Sequence, residues 1–327
     1  MWLLCVFHCL IIINSIDVHG DRITTELFPS YLDRELWYNT TAKKLTYSIY
    51  KHRYSVEEFN VLKFKYDDTT VEEQPSLRRK RRNIFGGDDR YHIKDDFVKK
   101  YPFQTAVRLS HGCTGTLVWY QHVLTSAHCV HNRKEFDPPL KELRVGLLKI
   151  DGTFEWYGAS SVHVPRSWRR KLGMSYLNHD YAIIKLDRPH RRRWMPFGVY
   201  DVSMNKHIQL VGFPSDKKDN EMWYSFCTIA QSKKHTFFSY CDATRGMSGS
   251  GVYVYNENRK PDRLVVAIFS SYVQFKTKGL QKTFYYDANV ATRLTAKKVR
   301  RICKWLRAGK NCYRLNPMLS GHMVKFK

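Results

Sequence analysis

From about residue 100 the chain carries short β-branched or aromatic runs separated by turn residues. They are QTAVRLS (104–110), TLVWY (116–120), HVLTS (122–126), LRVGLL (143–148), IQLVGF (208–213), FCTIAQ (226–231), GVYVY (251–255) and LVVAIF (264–269). Many short strands without interleaved helices predict an antiparallel sandwich or barrels, not a parallel sheet. One segment reads differently. Leu294, Val299, Ile302, Cys303 and Leu306 keep a roughly helical spacing, with Lys297, Lys298, Arg300, Arg301, Lys304 and Arg307 on the other faces, which predicts a terminal basic helix. The 327 residues, 43% of them apolar, suffice for one sizeable core plus an appendage.

The start of the chain supplies the appendage. MWLLCVFHCLIIINSIDVHG has an apolar run too short to span a bilayer, then small and polar residues, and reads as a signal peptide over 1–20. No later segment is apolar enough to cross a membrane, so a secreted, extracellular protein is expected. Residues 21–82 are polar and free of cysteine. They hold the one N-x-[ST] sequon, at Asn39, a candidate glycosylation site. They end in Arg78-Arg79-Lys80-Arg81-Arg82. Behind a signal peptide that run reads as a site for a proprotein convertase, cutting at Arg81-Arg82. Residues 21–82 are then a propeptide and 83–327 the folded domain with a basic tail.

Six cysteines lie beyond the signal: Cys113, Cys129, Cys227, Cys241, Cys303 and Cys312. In an oxidising compartment they predict three disulfides, although six cysteines allow 15 pairings. No CxxC pair exists, so no metal site is expected, and nothing implies an organic cofactor. The net charge of +25 is concentrated after residue 82, where 42 Lys and Arg face 19 Asp and Glu. For a secreted chain such a surface suits heparan sulfate or another extracellular polyanion, and nucleic acid is not an expected partner. RSWRRK (166–171), RPHRRRW (188–194) and the terminal helix are the candidate contacts.

Arg245–Tyr253, RGMSGSGVY, places Ser248 among three glycines just before a strand. A serine hydroxyl attacks carbonyls at neutral pH only with a base in reach and a carboxylate orienting that base. VLTSAHCVH supplies His128 after an apolar strand. Cys113, at the start of the preceding strand, could bridge to Cys129 and fix the base. NHDYAIIKLD supplies Asp180 at the mouth of a buried strand, where a carboxylate needs a partner. Each motif alone has an ordinary structural explanation; together, in this order, they form a candidate triad.

These segments resemble the trypsin/chymotrypsin family over about residues 83–312. Within it, RRKRRNIFGG, YPFQTAV, GCTGTLV, LRVGLLK and CDATRGMSGSGVY are most similar to the secreted serine protease 23 and 35 group. The resemblance implies an all-β fold of two six-stranded antiparallel barrels with a C-terminal helix, and a site in the cleft between them. It implies a serine endopeptidase acting on protein or peptide substrates. Ser248 is the nucleophile, His128 the base, Asp180 its orienting partner, and the N–H groups of Gly246 and Ser248 the oxyanion hole. Ser250, two residues on, faces the other side of the segment. Asp242 falls where trypsin-like members carry the aspartate that binds a basic substrate residue, although Arg245 stands close enough in sequence to neutralise it. Ser270 aligns beside the triad aspartate, and Tyr272 replaces a residue that usually lacks a side chain, where it would crowd the pocket. Cys227 and Cys241 flank a probable hairpin; Cys303 and Cys312 would close a short loop.

Met247 breaks the pattern. Trypsin-like zymogens pair a liberated amino terminus with an aspartate at this position, and methionine accepts no ammonium. A cut after Arg82 also leaves Asn83 ahead of Ile84, so the new terminus is polar and displaced. Burying an ammonium without a partner costs several kcal/mol, so the usual insertion is not expected here. Either packing around Met247 holds the turn, or the turn is never formed. The second outcome would leave a catalytically weak or inactive protease fold that binds extracellular polyanions.

Overall fold

The computed structural model describes residues 84, 85, 87–170, 173–202, 206–255, 262–278, 283–309 and 312. The expected signal peptide, the Asn39 sequon and the Arg81-Arg82 cleavage site lie outside them.

Six strands close the first barrel: β2 (Ala106–Leu109), β3 (Thr114–Trp119), β4 (His122–Thr125), β5 (Arg144–Leu148), β6 (Phe154–His163) and β7 (Ala182–Leu186), in the order β2-β3-β4-β7-β6-β5. The second comprises β8 (His207–Gly212), β9 (Met222–Ser232), β10 (Thr236–Ser239), β11 (Gly251–Tyr255), β12 (Arg263–Lys278) and β13 (Thr283–Arg293). Its order is β9-β10-β13-β12-β11-β8, closed by the β8–β9 ladder. A short β1 (Tyr91–Ile93) lies along β9 opposite Met222 to Tyr224. Closure removes the exposed sheet edges that short strands would otherwise present.

Most of the strands read from the sequence are largely buried, with β9 the exception. β3, β4 and β11 are almost wholly buried, because each faces its own barrel interior on one side and other protein on the other. β6 was not read from the pattern, and its ten residues are largely exposed or half-buried. With no buried face to impose a period of two, its alternation is weak. Val107, Leu117, Val123, Leu147, Ile184 and their neighbours fill the first barrel; Ile208, Leu210, Ile229, Phe237, Val252 and Val266 fill the second.

Among the described residues two α-helices flank the barrels, α1 (Arg166–Arg170) and α2 (Ala296–Leu306). As the spacing predicts, Val299, Ile302, Cys303 and Leu306 of α2 are buried. Lys298, expected on the solvent face, is buried too. Its Nζ donates to the carbonyls of Arg293 (2.6 Å) and His235 (3.1 Å), tying the helix to the second barrel. Burial, helped by the charge of Arg293, lowers its pKa to about 7.

The three disulfides are Cys113–Cys129, Cys227–Cys241 and Cys303–Cys312. The first clamps the start of β3 to the turn after β4. The second spans the β9–β10 hairpin. Closing loops of 16 and 14 residues contributes about 3 kcal/mol each in the chain-entropy picture.

Candidate active site

β4 ends at Thr125, and the single 3₁₀ turn Ala127–Cys129 follows, stapled at Cys129 to Cys113. The turn leaves the His128 side chain 36% exposed at the barrel surface. Asp180 ends the 3₁₀ stretch Gly173–His179 just before β7 and is 1% exposed. Its carboxylate collects three donors. Oδ1 takes the His128 backbone N–H at 2.9 Å; Oδ2 takes Nδ1 of the same residue at 2.8 Å and the hydroxyl of Ser270. This fixes the tautomer, because Nδ1 carries the proton and Nε2 is left to accept one.

Ser270 reaches Asp180 because of a bulge. β12 slips against β13 so that Phe269 opposes Ala291 and Ser271 opposes Val290, leaving Ser270 as the extra residue. A bulge re-aims a side chain that regular alternation would point elsewhere. The same residue's carbonyl lies 3.3 Å from the Ser248 hydroxyl, which donates to it. The structure therefore brings Ser248, His128, Asp180 and Ser270 together. It pairs the Ser248 hydroxyl with the Ser270 carbonyl, while His128 Nε2 lies 3.6 Å from the Cys129 sulfur.

Burial opposes charge on both members of the imidazole–carboxylate pair, but their mutual attraction and hydrogen bonds outweigh it. His128 is raised above the usual histidine value, and Asp180 is lowered below the usual carboxylate value.

The serine loop is built on glycine. Gly246 has φ +92°, and a Cβ there would meet the Phe213 carbonyl at 2.2 Å, the Ser215 nitrogen at 2.9 Å and the Gly112 carbonyl at 3.1 Å. Among the described residues neither the Gly246 nor the Ser248 N–H has an acceptor, although the N–H groups of Met247, Gly249 and Ser250 all do. These two N–H groups, on either side of Met247, are the donors that the expected oxyanion hole would need. Ser250 is fully buried, with no partner for its hydroxyl among the described residues, which removes it as the exposed nucleophile.

Met247 is fully buried in the apolar core of the second barrel with Ile208, Leu210, Ala243 and Val252. Packing thus occupies the position where an ion pair was not expected to form. Met247→Asp should place an unpaired carboxylate there and lower the unfolding free energy by about 3–5 kcal/mol, read as a drop in the denaturation midpoint.

Asp242 does not have the expected role. It is 2% exposed, and its two oxygens accept the backbone N–H groups of Phe85 (2.7 Å) and Asp89 (3.0 Å). A carboxylate committed to its own chain is not presented to a basic substrate side chain. Arg245 is exposed, so it is not the buried partner either. Tyr272 is half-buried on β12 opposite Asn289, directly after the bulge.

Sequence reading missed Thr114, the joint between the barrels. Its N–H donates to the Ser248 carbonyl (2.9 Å) and its hydroxyl to the Gly246 carbonyl (2.7 Å), while that hydroxyl accepts from the Phe213 N–H (3.0 Å). The signal was present in GCTGTLV, where polar Thr114 and Thr116 interrupt a buried strand. Two cavities of about 330 Å³ lie elsewhere and contain no triad residue. The grouping of Cys113, Cys129 and His128 offers no thiolate, because both sulfurs are bridged.

A profile of the family described as Trypsin matches residues 84–258, more than half of the chain. The chain belongs to the trypsin family. Among curated trypsin-family relatives, Serine protease 23 of Bos taurus is 37% identical over 265 residues, covering 72% of this chain and 68% of that protein. The human Serine protease 23 is 36% identical, covering 70% and 65%. The human protein named Inactive serine protease 35 is 32% identical over 295 residues, covering 71% and 70%. Among solved structures, that of a Glu endopeptidase in complex with MPD superposes with a TM-score of 0.54 at 18% identity, covering 68% of this chain and 98% of that one. At that identity the likeness shows the trypsin-like fold alone. Among the described residues no helix is long and apolar enough to cross a membrane.

Proposed function

We propose that this protein is a secreted serine endopeptidase that cleaves peptide bonds through Ser248, His128 and Asp180. One observation carries the reading: the N–H groups of Gly246 and Ser248, without an acceptor among the described residues, belong to the loop whose serine hydroxyl lies beside the Asp180–His128 pair.

The chemistry follows from those positions. Rotation about the Ser248 Cα–Cβ bond takes its hydroxyl from the Ser270 carbonyl to the free Nε2 of His128. Oγ attacks the scissile carbonyl while Nε2 accepts its proton. The imidazolium, stabilised by Asp180, returns that proton to the leaving amine, and a water molecule then releases the acyl group by the same route. Negative charge on the carbonyl oxygen is met by the two N–H groups, each contributing about 3 kcal/mol to the transition state. With Asp242 committed to the chain, selectivity for basic residues is no part of this reading.

Maturation completes the proposal. Residues 1–20 direct secretion, Asn39 carries a glycan, and a proprotein convertase removes residues 21–82 at Arg81-Arg82. The test is fluorophosphonate labelling of the purified protein beside Ser248→Ala. Such probes need an activated serine and an oxyanion hole but little substrate fit. Labelling that disappears in the alanine variant is the expected result; a folded protein that takes no label overturns it.

A second reading is favoured by a specific feature. One of the 330 Å³ cavities is lined by Lys99, Lys149, His190, Arg191 and Arg192 with a single acidic residue, Glu155. The buried Nη1 of Arg192 has no partner among the described residues. A sulfated glycan such as heparan sulfate suits that lining, with catalysis weak or absent as the name of the protease 35 relative says of that protein.

A further inference from the structure

The segment that follows the multibasic run is built into the foundations of the serine loop. Arg90 is the key. Its guanidinium is fully buried and donates to both oxygens of Asp88 (2.9 and 2.8 Å), to both oxygens of Asp216 (3.0 and 2.6 Å) and to the Thr244 hydroxyl (3.4 Å). The Thr244 hydroxyl in turn donates to Asp216 at 2.5 Å, and Lys217 pairs with Asp88 at 2.8 Å. Burial opposes charge on all three principal partners. The hydrogen bonds prevail, holding Asp88 and Asp216 below the usual carboxylate range and raising Arg90.

Five residues upstream the same segment is gripped again. Asp242 takes the Phe85 and Asp89 N–H groups, and the Phe85 ring meets Tyr240 edge-on at 5.1 Å. Asp242 and Thr244 sit just before Gly246. Asp216 belongs to the neighbouring loop, whose Ser215 N–H donates to the Arg245 carbonyl at 2.6 Å. The 213–219 loop, through the Phe213 carbonyl and the Ser215 nitrogen, is the wall against which Gly246 fits with no room for a Cβ. Arg90 bridges that loop and Thr244 directly.

We propose that Arg90 and Asp242 are positioning residues. They dock Phe85–Arg90 against the 213–219 and 242–248 loops and so hold the Gly246 and Ser248 N–H groups in place without a liberated amino terminus. The contacts are a side chain and two backbone amides of an unbroken chain, and none of them requires an ammonium. Met247 is consistent with this arrangement, since the buried position beside Ser248 has no charge to satisfy. The catalytic consequence rests on the endopeptidase reading; the structural one does not. Removal of residues 21–82 is then not the step that forms the oxyanion arrangement, which exists beforehand.

The test uses hydrogen exchange on the Ser248→Ala protein, so that no activity is needed. An uncleavable form, with Arg81→Ser and Arg82→Ser, should show the same amide protection over 243–250 as the processed form. Arg90→Met should raise exchange at least tenfold over 213–219 and 243–250 and leave β5 and β6 unchanged. Asp242→Asn, nearly isosteric, serves if Arg90→Met does not fold and should loosen 243–250 in the same way. With Ser248 restored, uncleaved and processed proteins should react with the fluorophosphonate at rates within about twofold of each other. Arg90→Met should lower that maximal rate with little change in the probe concentration giving half of it. Protection over 243–250 that appears only after cleavage, or that survives both substitutions, overturns the proposal. If neither form labels while the exchange pattern holds, the endopeptidase reading fails and the brace stands.

Discussion

Asparagine at position 180 is expected to slow fluorophosphonate inactivation of Ser248 by about 10⁴-fold, the scale of losing the correct imidazole tautomer. Asp180 accepts from the His128 N–H, His128 Nδ1 and the Ser270 hydroxyl. An amide has one acceptor oxygen, and its NH₂ group would face a donor. Nδ1 would then be favoured as an acceptor and Nε2 would carry the proton, the reverse of what a base requires. The carboxylate also raises the His128 pKa, so the wild-type rate should rise with pH through a midpoint above that of an ordinary histidine, as the neutral base forms. In Asp180→Asn the weak residual rate should show that midpoint shifted to lower pH, because the attracting charge is gone. A variant retaining a tenth of the wild-type rate would mean that Asp180 does not set the tautomer on which the reaction depends.

Alanine at position 246 should cost at least about 10²-fold in the same rate constant, the scale of one lost oxyanion donor. The added Cβ would sit 2.2 Å from the Phe213 carbonyl and 2.9 Å from the Ser215 nitrogen. Both are backbone atoms and cannot swing aside, so the turn itself must move. The φ of +92° adds strain for any residue with a side chain. Gly112→Ala separates the two causes. Its φ is +101°, yet a Cβ there meets nothing within 4 Å, so it carries the backbone strain without the collision. Its reactivity should stay near wild type. Equal losses in both variants would assign the effect to backbone strain and not to the displaced donor.

Much of this arrangement is legible along the chain. Runs such as Gly251–Tyr255 and Leu264–Phe269 are buried on both faces and must be apolar throughout, so the barrel strands announce themselves locally. His128, Asp180 and Ser248 each stand near a strand end, and it is their occurrence together, in that order, that marks them as candidates. Met247, where the resembling family carries an aspartate, already argues against a buried ammonium.

What the sequence by itself determined, then, is most of the barrel strands, the terminal helix and the candidates for the triad, because each depends on burial or chemistry within a few positions. Only the tertiary structure decided what Asp242 does. Its partners lie 157 and 153 residues away as backbone amides, which carry no side-chain signature. The same holds for Arg90, whose grip on Asp216 and Thr244 spans 126 and 154 residues. It holds again for Ser270, which faces Asp180 only because β12 slips by one residue against β13. Long-range pairing and register are set by the closure of the whole sheet, and no short stretch of residues encodes them.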